Sequence, residues 1–245
     1  MPASTKLTVH EGDINVTTAG AVISGLDVHG AIKVNAPNVT IKDSIIRFRS
    51  GGYTAGIQSY STGLTISDVE IAPTVTSPNY NGVMGSGFTL TRANIHGVVD
   101  SVHIYGNDVV VQDSWLHDNT HFLNDPNWGG KPSHDDSIQI VKGARITIRG
   151  NNYSGAYNSG IQVTQDSGAV SQLTITKNMA DGGGCTINLS EKGGGPLQGV
   201  TITNNRFGGH QRVANCAIIR PATTTVVATG NAWVSSGTSV ALSRG

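Results

Sequence analysis

The chain has 245 residues, a formal net charge of zero and only 13% charged residues. That leaves no basic nucleic-acid footprint and no acidic tail, and it is enough chain for one sizeable domain. Gly is high at 32 and aromatics make up 5%; Thr, Val, Ile, Asn and Ser dominate the rest, a vocabulary of short strands and tight turns rather than of helices. No apolar run reaches membrane-spanning length, so no membrane partner is expected. Met1 to Gly20 shows no basic segment followed by an apolar one. The expected location is extracellular or on a virion, with a signal removed or another exit route used; a cytoplasmic location also fits.

Taken in chain order, the sequence repeats itself. Ala21–Ser24 is a short first copy, followed by Val39–Ser44, Leu64–Val69, Phe88–Ala93, Val109–Ser114, Ile146–Asn151, Leu173–Asn178, Val200–Asn205 and Val226–Asn231. The starts are 25, 24, 21, 37, 27, 27 and 26 residues apart. Each unit alternates apolar and polar positions, which sends one face inward. Its sixth position reads Ser44, Val69, Ala93, Ser114, Asn151, Asn178, Asn205, Asn231. Stacked at a bend, such asparagines form an amide ladder. Two residues on, the chain is apolar again at Ile46, Ile71, Ile95, Leu116, Tyr153, Ala180, Phe207 and Trp233. A further strand completes each repeat, centred on Ile57, Val83, His103, Gln139, Gln162, Asn188 and Ile218.

This periodicity of about 25 residues resembles the right-handed parallel β-helix of the pectate-lyase-like superfamily, over about residues 21–233. The expected fold is therefore all-β, a single-domain solenoid of about eight to nine coils. Residues 1–20 form an N-terminal cap and residues 234–245 a C-terminal cap or tail. A sandwich of hairpins does not explain asparagines in register.

Asp100-Ser-Val-His-Ile-Tyr105 lies over Asp136-Ser-Ile-Gln-Ile-Val141, so the two are expected as neighbouring strands about 4.8 Å apart. The column of Asp100 and Asp136 continues through Ser159, Cys185 and Cys216. The two cysteines should then be neighbours, either stacked thiols or, second, a disulfide. They are too few for a disulfide framework or a zinc site.

The 37-residue gap holds an insertion at 118–134, rich in turns and bearing aromatics, directly before Asp135 and Asp136. Insertions in solenoids often wall a binding face. Trp128 could stack on a sugar, and Lys131 belongs to the same loop. Trp115 shares a column with Glu70, Asn94, Asn152 and Arg206, which points it outward; it either meets substrate or lies under the long loop.

Two chemistries compete for this patch. The superfamily resemblance implies a polysaccharide lyase, cleaving an anionic uronate polymer such as alginate or pectate by β-elimination. His103 would be the base and Tyr105 the acid, with Gln139, Gln162, Lys142 or His134 neutralising the uronate carboxylate. Many lyases of this fold class hold calcium on Asp, and Asp135 and Asp136 are the candidate ligands for Ca2+. The runner-up is a glycoside hydrolase using Asp100, Asp135 and Asp136, an arrangement similar to the carboxylate core of polygalacturonases. Val98-Val99 and Asn158-Ser159-Gly160 depart from that family's pattern. A third possibility is a non-catalytic carbohydrate-binding or virion tail β-helix. His96 and His117 also stack as a pair that could form a weak metal site. A polysaccharide is the expected partner; monomer and trimer are both open.

Overall fold

Short strands of alternating Val, Ile and Thr have no buried partner within their own repeat, so they bury their apolar face by pairing with the next copy. The computed structural model describes residues 6–49 and 54–245; the start of the expected N-terminal cap, residues 1–5, lies outside the described residues. Among the described residues the strands form one 17-stranded and one 10-stranded sheet, and the pairings between these strands are parallel. Each repeat gives strands first to the larger sheet, then one to the smaller. The protein is an all-β parallel β-helix.

The register follows the repeat. Val109 pairs with Ile146, Ile146 with Leu173, Leu173 with Val200 and Val200 with Val226. Their inward neighbours Val111, Ile148, Ile175 and Ile202 are fully buried between the sheets. In the smaller sheet Met84, His103, Gln139, Gln162 and Asn188 pair in one row. Both end segments also carry strands. Thr8–Glu11 and Ile14–Val16 pair with Leu26–His29 and Ile32–Val34, and Leu242–Arg244 pairs with Ile218–Arg220. No helix among the described residues is long and apolar enough to cross a membrane.

The larger sheet bends once per repeat, at the fifth position of the unit. Asp43, Asp68, Arg92, Asp113, Gly150, Lys177, Asn204 and Gly230 all have positive φ, between 48° and 68°. This left-handed turn swings the next backbone N–H away from the strand ladder, where a buried donor needs another acceptor. The side chain one repeat later supplies it. The Asn151, Asn178 and Asn205 N–H groups donate to Oδ1 of Asn178, Asn205 and Asn231 at 2.9, 3.0 and 3.1 Å. The amide Nδ2 groups donate along the same row at 2.9–3.1 Å and to the carbonyls of Ile148, Ile175 and Ile202. Ser114 and Ser44 accept from the Ala93 and Leu26 N–H groups in the same way, each at 3.1 Å.

The smaller sheet breaks strict alternation where its strands begin. Ser101 and Val102 are both fully buried, as are Ser137 and Ile138. Two successive residues face inward, so positions three apart share the outer face, as the Asp100–His103 contact and the Ser159 Oγ–Gln162 Oε1 hydrogen bond require. Further along the same column Cys185 and Cys216 form a disulfide, with Cα atoms 4.8 Å apart. The stacked free thiols expected first are therefore replaced by a covalent link.

Two outcomes test these contacts. Asn178→Ala strands the Asn151 N–H and should cost about 2–5 kcal/mol in denaturant unfolding. A loss below about 0.5 kcal/mol, the level of ordinary surface changes, would contradict that role. Reduction of the disulfide, which closes a loop of sequence separation 31, should cost about 3–4 kcal/mol. Thermal melts with and without dithiothreitol would read it.

Candidate functional site

The inserted loop owes its shape to buried polar anchors. Asn119 at its start donates to the carbonyls of Val99 at 2.8 Å and Asp136 at 3.0 Å, joining two strands of the smaller sheet. Asp125, almost fully buried, caps a single 3-10 turn, Pro126–Trp128, by accepting the Asn127 N–H at 2.8 Å. The Asn127 amide reaches Asn79 Oδ1 at 3.0 Å, in the turn that leads into the Asn81–Gly85 strand of the smaller sheet. The loop thus arches over the outer face of that sheet, and Trp128 stacks on His134 with centroids 3.9 Å apart.

Beneath it lies a cleft of about 840 Å³, lined among others by Tyr60, Met84, Asp100, His103, Tyr105, Trp128, His134 and Gln139. A second depression of about 360 Å³ shares Trp128, His134 and Gln139 with it and adds Asp136, Asn158, Gln162, Asn188 and Lys192. Together they form a groove along the smaller sheet, crossed by the Trp128–His134 stack. No Lys or Arg lines the larger cleft among the described residues.

The polar floor is unevenly satisfied. Asp100 Oδ1 accepts the Asp136 N–H at 3.0 Å, and its Oδ2 stands 3.0 Å from His103 Nδ1. That contact lacks hydrogen-bond geometry, and both His103 ring nitrogens are buried without a partner. The His103 ring stacks on Tyr105 at 4.4 Å. Burial, with a smaller push from the Asp100 charge, raises the Tyr105 pKa. Asp136 is fully buried; Oδ1 accepts from Asn158 Nδ2 at 2.9 Å, and Oδ2 has no partner. Burial first, then the Asp100 charge, hold its pKa well above the ordinary carboxylate value. The site therefore sets a buried carboxyl with a raised pKa beside a second carboxylate, a histidine and a phenol.

His103, Tyr105, Asp100, Asp136, His134, Gln139, Gln162 and Trp128 are brought together along the groove. Trp115 is not: it lies half-exposed on the larger sheet, stacked on His117 at 3.6 Å, and the long loop does not cover it. Lys131 and Lys142 line neither part of the groove; Lys142 borders a separate depression next to Tyr105. Asp135 has no oxygen to spare for calcium. Its Oδ1 takes His121 Nδ1 at 2.6 Å and Ser133 Oγ at 3.2 Å, and its Oδ2 takes the Tyr157 N–H at 2.6 Å. His117 spends Nδ1 on Asp118 and Nε2 on Asn94, each at 2.8 Å, so the His96–His117 stack offers no metal pair. Among the described residues no group of three or more His, Cys, Asp or Glu is placed to hold a metal. Asn119, Asn158 and Tyr60 escaped sequence reasoning. Only the position of Asn119 at the head of the insertion could have flagged it.

No family model matches this chain, and no curated protein matches it. Among solved structures it is similar to the Dettilon tailspike protein, with 14% identity and a TM-score of 0.37. The match covers 98% of this chain and 62% of that one, so the chain spans less than two thirds of its length.

The raised pKa of Asp136 has a measurable sign. Its protonated form favours folding below the ordinary carboxylate pKa, and that contribution is lost as pH rises through the raised native value. Asp136→Asn, which cannot ionise, should flatten the fall of Tm with rising pH above about 4. Each 1 kcal/mol removed corresponds to about 2–4 °C for a chain of this size. Parallel Tm–pH curves for the two proteins would contradict a buried ionisable Asp136.

Proposed function

We propose that the protein binds a polysaccharide along the outer face of the smaller sheet and hydrolyses it, with Asp136 as proton donor and Asp100 as the assisting carboxylate. The observation that carries this reading is Asp136: a buried acid with a raised pKa and an unpartnered Oδ2, next to a carboxylate that lines the cleft. Carboxylates whose environments drive their pKa values apart are how glycosidases divide acid and base roles. Tyr60, Tyr105 and Trp128 supply apolar faces for sugar rings. The lack of Lys or Arg along the larger cleft favours neutral sugars there over uronates, whose elimination needs the carboxylate neutralised. The disulfide supports an oxidising location, extracellular or on a virion.

Elimination through His103 and Tyr105 is the second reading, favoured by the two unpartnered His103 nitrogens and the stacked Tyr105 ring in the same cleft. One screen separates the two. Neutral and uronate glycans are incubated with the protein, and reducing ends and near-ultraviolet absorbance are followed together. Hydrolysis gives reducing ends alone, and Asp136→Asn or Asp100→Asn should slow it by about 10²–10⁴-fold. A rise in both signals, abolished by His103→Ala, would replace hydrolysis with elimination. A glycan that binds and is never cleaved would leave a binding protein and overturn both.

A further inference from the structure

A second pocket, of about 400 Å³, is lined by His121, Tyr157, Asp181, His210 and Arg212 and shares none of its lining with the groove. His210 commits Nδ1 to Asp181 at 2.6 Å, which leaves Nε2 as the ring atom to offer. His121 commits Nδ1 to Asp135 at 2.6 Å and forms a wall of the pocket. Asp181 also accepts the Gly182 and His210 N–H groups at 2.8 and 2.9 Å, so its charge is answered within the protein. Its hydrogen bond to His210, and then its charge, raise the His210 pKa toward the protonated, cationic form. The Arg212 guanidinium lies 3.7 Å over the Tyr157 ring, and its Nε donates to the Tyr157 carbonyl at 3.1 Å. The other face of the stack is His121, 4.0 Å from the same ring. The guanidinium is thereby held with its Nη groups free to form a fork.

We propose that this pocket is a separate binding site for a carboxylate, held by the Arg212 fork and the Nε2 atom of His210. A planar fork matches a carboxylate in bidentate fashion better than it matches a neutral hydroxyl. The larger cleft of the groove has no Lys or Arg in its lining among the described residues, whereas this pocket presents an Arg fork. Because His210 and Arg212 are exposed, the affinity expected is millimolar rather than tight.

The test uses the full chain and NMR of the histidine ring C–H groups, titrated with glucuronate, glucose and acetate. Glucuronate should shift the His210 signals saturably, and glucose should not. Arg212→Gln, at an exposed position, should weaken the glucuronate response by about tenfold or more, and Arg212→Lys should restore it only in part. Equal affinity for acetate would assign the site to a free carboxylate; tighter glucuronate would assign it to an acidic sugar. Either result supports the clamp. Shifts that never saturate, that glucose reproduces, or that survive Arg212→Gln would overturn it. Cleavage plays no part in the readout, so the result stands whether or not the groove is catalytic.

Discussion

A backbone N–H turned inward at a bend must find an acceptor or cost about 1–3 kcal/mol, and most bends of this structure meet that demand in one way. The left-handed residue at the fifth position makes the bend, and where the next repeat carries Asn or Ser at the sixth position its side chain accepts the donor; Val69 and Ala93 interrupt the row. Stacking is thereby locked in register, because a slip by one residue would remove every acceptor and flip the apolar face. The parallel sheets, the buried Ile and Val rows, and the placement of groove residues above one another all rest on that register.

Much of the scaffold was legible in the sequence, because period and alternation are one-dimensional signals. The strand partners Val109, Ile146, Leu173, Val200 and Val226 were readable by eye and pair as written. The His103–Gln139–Gln162 row follows from the same logic. The bending position was not legible, since Asp, Arg, Gly, Lys and Asn all occupy it and only their shared backbone angle unites them. Nor was the double inward step at Ser101–Val102, without which alternation would point Asp100 away from His103.

The loop shows why the site itself was harder to read. Its residues were identified as an insertion, but where a loop lands depends on hydrogen bonds to partners far away in sequence. Asn127 meets Asn79, Asn119 meets Val99 and Asp136, and His121 meets Asp135. Asp135 and Asp136 illustrate the difference. Adjacent and chemically identical, one has both oxygens engaged by His121, Ser133 and Tyr157, and the other keeps a buried, unpartnered oxygen beside the groove. Trp115 fails for a related reason: its column was right, but it lies on the larger sheet, whereas the loop makes its anchoring contacts with the smaller sheet and the turns that lead into it.

The direction of the bend contacts has a consequence for synthesis. In the Asn row each inward N–H takes its acceptor from the repeat that follows it in the chain. While that row emerges from the ribosome N-terminus first, the polypeptide therefore carries one newly formed turn whose donor is still waiting. That turn gains its full stability only when the next 26 or 27 residues have been made. Growth of the helix is thus a sequence of promissory steps, each completed by the one after it. The most recently formed turn is the place where a translational pause would leave the nascent protein most open to fraying.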